Sequence, residues 1–247
     1  MKHARTLFLT VFGLLCASAA GAQAFVDIEG GVAFTGYNDV AIPAETGTKI
    51  SLATDTVAAP APAARVRFGS VFGGRHTVSV LYAPLTVRGA GTPDRDLSYR
   101  DKTFASGVKV ESAYRFDSYR LTYRYTFLDS ERWNIGVGVT GKVRSADIAL
   151  MSDSGYAHRS DLGAVPLVNF RAQWNFARPW SALLEADALV TPFGRAEDAL
   201  LALQYRSSDR VSFRAGYRVL EGGSDGGGNV YTFALFHYLT AGITVGL

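Results

Sequence analysis

Between Ser118 and Phe127 the chain reads Ser-Tyr-Arg-Leu-Thr-Tyr-Arg-Tyr-Thr-Phe. Successive side chains of a strand point to opposite faces. Tyr119, Leu121, Tyr123, Tyr125 and Phe127 therefore share one face, and Arg120, Thr122, Arg124 and Thr126 share the other. A soluble sheet would bury the aromatic face under helices or a second sheet. Here the same alternation recurs over most of the chain, and no segment reads as such a cover. The pattern predicts that the apolar face meets lipid while the arginines look into an enclosed polar interior, as in a transmembrane β-barrel.

Taken in order, Phe25 to Gly36 is the first predicted strand, with Val26, Ile28, Val32 and Phe34 outward and Asp27 and Glu29 inward. Residues 37–62 lose the alternation and read as a long loop ending in Ala59-Pro60-Ala61-Pro62. Ala64 to Phe72 and Thr77 to Val87 are strands joined by a tight turn at Gly73-Gly74. A second long loop spans Gly89 to Lys102. Thr103 to Phe127 holds a conflict: Val108, Val110, Tyr114 and Phe116 share one parity, whereas the aromatic set from Tyr119 has the other. Either the chain turns at 116–118, or a bulge there inserts a residue and flips the alternation within one strand. The placement of short turns at one end and long loops at the other favours the bulge.

Trp133 to Leu150 follows a turn at Asp129 to Glu131, and Met151 to Asp161 is a predicted loop. Ala164 to Phe176 and Trp180 to Val190 flank a turn at Ala177-Arg178-Pro179. After a connection at Pro192 to Ala196, Ala199 to Tyr205 and Val211 to Val219 form a hairpin around Ser207-Ser208-Asp209. The glycine-rich segment Gly222 to Gly228 leads to the last strand, Val230 to Leu247. The prediction is an all-β, antiparallel, up-and-down transmembrane barrel of about ten strands, within a range of roughly 8 to 12, over residues 25–247.

The chain's beginning adds an address. Lys2 and Arg5 precede an apolar run, Leu7 to Leu15, and the small-x-small pattern Ala22-Gln23-Ala24. Residues 1–24 read as a cleavable secretory signal peptide, too short for a spanning helix. Leu15 is bulky where a lipoprotein signal wants a small residue, so Cys16 is not read as lipidated. Cleavage removes Lys2 and Arg5 from the chain's 25 basic residues and leaves it almost balanced against 22 acidic ones. That removes the charge argument for nucleic acid. It also removes the single cysteine, and with it disulfide frameworks and thiolate metal sites. Aromatics make up 12% of the chain and mean hydropathy is slightly positive, yet no later apolar run approaches the ~20 residues of a membrane helix. Strands closed into a barrel reconcile these facts, because only closure satisfies every backbone group in lipid. Export without a spanning helix fits the outer membrane of a Gram-negative cell.

In its leader, strand alternation, turn asymmetry and final strand, the whole mature chain resembles small bacterial outer-membrane β-barrel proteins, the broad group that includes OmpA-like and OmpW-like barrels. The resemblance implies outer-membrane lipids and lipopolysaccharide as surroundings. It also implies recognition of the last strand by the barrel-assembly machinery. That strand usually ends in an aromatic; here Ile243-x-Val245-x-Leu247 keeps the alternation but ends in leucine.

Candidate chemistry is sparse. Arg65, Arg67, Arg120, Arg124, Arg171, Arg214 and Arg218 are expected to line the lumen with Glu111, Glu185 and Asp187. Little room exists inside a narrow barrel, so these charges either pair into a structural plug or line water. An excess of guanidiniums facing water would make a narrow, anion-preferring, porin-like passage. Lys142 and Arg144 belong to either arrangement. The enzyme alternative is a lipid A-modifying hydrolase in which His158 activates Ser160; the segment His158-Arg159-Ser160 resembles the His-x-Ser of outer-membrane deacylases, with Asp161 where those have asparagine. Glu197, Asp198, Glu221 and Asp225 are expected near loop entrances, where carboxylates could hold bridging cations or, as in omptin-like proteases, act beside a histidine. His76 is expected in a turn and His237 on the lipid face, so neither joins them. No cofactor and no specific metal ligand set is implied.

Overall fold

The structure, a computed structural model, describes residues 22–192, 194–225 and 229–247. In chain order its strands are β1 (Gln23–Ala41), β2 (Ile50–Ser51), β3 (Ala61–Phe72), β4 (His76–Ala83), β5 (Thr86–Gly91), β6 (Leu97–Tyr99) and β7 (Lys102–Phe104). They continue with β8 (Val110–Asp129), β9 (Trp133–Ser152), β10 (Gly155–Ala177), β11 (Trp180–Thr191), β12 (Gly194–Arg206), β13 (Val211–Ser224) and β14 (Tyr231–Gly246). β1 pairs antiparallel with β14 from Phe25 opposite Gly246 to Ala41 opposite Tyr231, and this seam closes a barrel of ten up-and-down strands. β4 and β5 make one wall strand interrupted at Pro84. Leu85 and Phe116 carry the ladder across the break by exchanging N–H···O bonds of 3.1 and 2.8 Å. β2 is a short addition to β1, and β6 and β7 form a separate hairpin.

The outer face is the apolar one. Ile28, Leu121, Val139, Val168, Leu201 and Leu239 are exposed along the wall. Aromatic pairs lie below this band, Trp133 on Trp174 at 5.9 Å and Trp180 against Tyr205 at 5.0 Å, and Tyr82 on Tyr119 lies nearer the other end, also at 5.0 Å. Apolar residues ringed by aromatics on a closed sheet are the lipid-facing surface of an outer-membrane barrel. Closure leaves no open sheet edge along the seam.

The start of β1, the end of β14 and the connections at 73–75, 130–132, 178–179 and 207–210 share one end, called the lower end here. At the upper end the segments 42–60 and 92–109 fold back over the mouth. Ile42, Ile50 and Leu52 from the first, and Leu97, Tyr99 and Phe104 from the second, are buried against Val110, Leu150, Leu220 and Phe236 of the wall. Backbone bonds from Thr48 to Ser98 and from Arg100 to Ile42 tie the two segments together. Tyr99 donates its hydroxyl to the Ile148 carbonyl at 3.0 Å, and burial pushes its phenol well above the ordinary value.

This cap explains the parity conflict in Thr103 to Phe127. β8 runs through 116–118 as one strand, with no turn and no bulge there: Ser112, Ser118 and Arg120 pair with Leu150, Arg144 and Lys142 in unbroken register. The register shifts only between Thr126 and Leu128. Val110, Tyr114 and Phe116 point inward with Arg120 and Arg124, because the upper interior is apolar. The lipid-outward rule fails where the cap supplies an apolar environment inside.

The expected loop Met151 to Asp161 is likewise strand. β9 and β10 meet at a two-residue connection and form a ribbon that rises above the β10–β11 ladder, with Gly155 opposite Ser152, while β8 follows β9 up to Glu111 opposite Met151. The connection between β11 and β12 is also two residues, since β12 starts at Gly194. β-pairing reaches into the first predicted loop at β2 and into the second at β6. The expected leader, residues 1–24, lies outside the described residues up to residue 21. Gln23 and Ala24 belong to β1, opposite Val71 and Ser70. The glycine-rich segment at Gly222 to Gly228 is described only to Asp225, and Gly222 and Gly223 continue β13.

Candidate functional site

Charges on the inward faces of six wall strands meet at mid-height. Arg120 on β8 is 4% exposed. It donates to Asp187 on β11 at 2.8 Å and to Asp198 on β12 at 2.6 Å. Asp198 also accepts from Arg218 on β13 and lies 3.0 Å from Arg65 on β3. Glu29 on β1 accepts from Arg218 at 2.8 and 2.9 Å and from Arg214 at 2.9 Å. Thr140 and Asn169 donate to the other oxygen of Asp187, each at 2.8 Å. The carboxylates Glu29, Asp187 and Asp198 are thus each bound by two or more donors, the condition under which buried charge is tolerated. Small inward positions leave room for the long side chains. A methyl at Gly242 would approach the Arg214 guanidinium to 2.9 Å.

Below this layer the interior opens into a polar vestibule of about 910 Å³. Arg67 pairs with Glu185 and Arg214 with Asp27. Arg171 donates to the neutral Asn134 at 3.0 Å and Gln173 at 2.7 Å. Arg124 lines the same space without an ion pair among the described residues. Above the layer lies a second chamber of about 370 Å³, bounded by Tyr114, Phe116, Leu220 and Phe236, with Lys142 and Arg144.

Sequence reasoning missed three members of this arrangement. Asp27 and Glu29 carry inward parity but were not grouped with the arginines. Asp198 was expected near a loop entrance, whereas β12 begins four residues earlier and buries it. Glu111 goes the other way. Expected in the lumen, it is exposed on the outer side of β8 and pairs with Lys109 at 2.7 Å, a consequence of the unbroken parity of that strand. Glu221 sits at the upper rim, held by Arg195 at 2.7 Å and by Tyr37. Among the described residues no group of acidic residues and histidines is arranged to hold a metal ion.

His158 and Ser160 lie on β10, not in a loop, and both are on its exposed outer face. The ring partner of His158 is Asp147 on β9, Nδ1 to Oδ2 3.1 Å. Ser160 stands opposite Asp147 in the ladder. His76 opens β4 at the lower end, 2.9 Å from the Tyr123 hydroxyl, and His237 contacts Tyr217 on the lipid-facing side.

No family model matches the chain, and no curated protein matches it. Solved structures that align with it include Neisserial surface protein A at 15% identity, covering 91% of this chain and 98% of that one, TM-score 0.38. The attachment invasion locus protein Ail of Yersinia pestis, in complex with the heparin analogue sucrose octasulfate, aligns at 12% identity over 88% and 99%, TM-score 0.39. The outer membrane protease OmpT of Escherichia coli aligns at 9% over 91% and 97%, TM-score 0.48. Scores this low carry nothing to this chain, whose architecture is read from its own strand pairings.

Proposed function

We propose that this chain is an integral protein of the Gram-negative outer membrane whose lumen is plugged, and that its role is structural or interaction-based. The observation that carries this reading is Arg120 reaching from β8 to both Asp187 and Asp198 across the interior. With Arg65, Arg218 and Glu29 in the same layer, and an apolar cap above it, a hydrated path would have to break several charge-assisted bonds. The vestibule with Arg124 and Arg171 is a blind cationic pocket in this reading. A narrow anion passage is the alternative, and it requires that layer to open.

Conductance separates the two. The purified protein in planar lipid bilayers is expected to give no channel steps, and Arg120→Ala combined with Asp198→Ala is expected to create a leak. Steady anion-selective conductance by the unaltered protein would establish the passage instead. Membrane residence is tested separately: the protein should need detergent for extraction and migrate differently on gels before and after heating.

A further inference from the structure

The vestibule below the ionic layer holds more positive charge than its own carboxylates answer. Inside it, Arg67 pairs with Glu185 and Arg214 with Asp27. The other two guanidiniums that line it at this depth, Arg124 and Arg171, have no carboxylate within ion-pair distance among the described residues. At the lower rim the charges balance, since Asp129, Glu131 and Asp209 line the space together with Arg178, Arg206 and Arg210. The excess therefore sits inside the vestibule and not at its edge.

The strands bring these two arginines together. In the ladders Arg124 on β8 stands opposite Gly138 of β9, and Arg171 on β10 stands opposite Gly136. Between them β9 presents no side chain inward. A methyl at Gly136 would approach Cγ and Cδ of Arg124 to 3.1 Å. The stem of Arg124 thus crosses β9 over Gly136, toward the strand that carries Arg171. Arg171 donates only to neutral groups, the amide oxygens of Asn134 and Gln173, and the side chain of Arg124 makes no hydrogen bond among the described residues. Glu185, opposite Arg171 in the β10–β11 ladder, is engaged by Arg67. Two like charges held together away from bulk water are costly, and a shared anion offsets that cost.

The space around them suits a polar ligand. Its volume of about 910 Å³ lies near the upper end of the ~300–1,000 Å³ range of ligand pockets. Gln173, Gln204, Ser181 and Thr126 line it and offer donors and acceptors to hydroxyl groups. Every lower connection contributes to its boundary, at Gly74, Ser130, Pro179 and Ser208, so it opens at the lower end. The bonds from Arg120 to Asp187 and Asp198 close it above.

We propose that the vestibule binds a phosphate monoester with a hydroxyl-bearing body, of sugar-phosphate size, whose anionic group sits between Arg124 and Arg171. A phosphate monoester carries about −1.5 to −2 charge at pH 7, which matches two guanidiniums, and its oxygens accept from their N–H groups. The short-turn end of an outer-membrane barrel faces the periplasm. Only entry from that side rests on the membrane reading proposed above; the site itself needs only the folded barrel.

The test measures binding of glucose 6-phosphate and of glucose to the folded full chain in detergent, by calorimetry in phosphate-free buffer. Neither conductance nor detergent extraction enters this readout, so its failure is distinct from failure of the plug or membrane reading. Heat-modifiable migration checks that each variant is folded. Glucose 6-phosphate should bind saturably, and glucose far more weakly. Arg124→Gln and Arg171→Gln should each weaken glucose 6-phosphate binding by about tenfold or more. Arg132→Gln, which removes a charge from a lower connection outside the vestibule lining, should leave it unchanged. Without ligand, Arg124→Gln should not lower the unfolding temperature, because no bond of that side chain is lost; this variant carries the test if Arg171→Gln does not fold. The proposal is overturned if glucose 6-phosphate does not bind saturably, if glucose binds as tightly, if Arg124→Gln binds as the unaltered protein does, or if Arg132→Gln weakens binding as much.

Discussion

Arg120 on β8 and Asp198 on β12 are joined at 2.6 Å although their strands are not neighbours in the sheet. A bond of this kind spans the lumen and fixes the distance between opposite walls. Asp198 is the shared anion of Arg65, Arg120 and Arg218. Asp198→Ala would leave those guanidiniums buried against one another and should cost about 3–5 kcal/mol, read as a lower urea midpoint for unfolding from vesicles. Arg120→Met should cost less, because Asp198 keeps two partners. Equal losses would contradict the shared-anion arrangement.

The outer face gives a sharper contrast. Val139 lies in the apolar band at 62% exposure, and Met151 lies at the tip of the β9–β10 ribbon at 48%. Both are exposed on one strand, and in water neither would resist a charge. Val139→Arg is expected to destabilise the vesicle-embedded barrel by about 2–4 kcal/mol, the cost of arginine near a bilayer midplane. Met151→Arg should fall within about 0.5 kcal/mol of the unaltered protein. Similar small effects at both positions would mean that Val139 does not touch acyl chains.

Much of the wall was legible in the sequence because its lower part obeys a single rule. Tyr123 and Arg124 take opposite faces as the alternation requires, and so do Trp174 and Gln173. The rule rests on one assumption, a polar interior and an apolar exterior, and above Ser118 the assumption fails. There Tyr114 and Phe116 turn inward because Leu97 and Phe104 return from a loop to meet them. A contact with chain far away in sequence leaves no periodic signal at Tyr114 itself. The same failure displaced Glu111 outward. Asp198 was missed for a local reason: Gly194 and Arg195, which look like a turn, already pair with Thr191 and Val190 as the start of β12.

That difference between the two ends predicts how truncations behave. Leu150 is fully buried in the capped upper interior, where cap and wall leave nothing to fill a void. Leu150→Ala should cost about 2–5 kcal/mol, as large-to-small changes in packed cores do. Leu201→Ala, on the lipid face, should cost less, since acyl chains flow into the space. Thermal unfolding in the same vesicles compares them directly. A Leu201→Ala loss as large as that of Leu150→Ala would place Leu201 in a packed interface with another protein surface.

The hydrolase alternative meets its test at Ser160. A histidine that activates a serine must accept its proton through a hydrogen bond between them. Asp147 holds His158 Nδ1 at 3.1 Å, as a triad carboxylate holds its histidine, but among the described residues no hydrogen bond joins the ring to Ser160, which faces Asp147 across the β9–β10 pair. Both side chains lie on the ribbon's outer face, away from either interior cavity, with no enclosure to exclude water from a reacting ester. Cells carrying Ser160→Ala should therefore give the same lipid A mass spectrum as cells carrying the unaltered chain. A lipid A species that gains an acyl chain in the Ser160→Ala strain, and loses it again when Ser160 is restored, would identify Ser160 as a nucleophile.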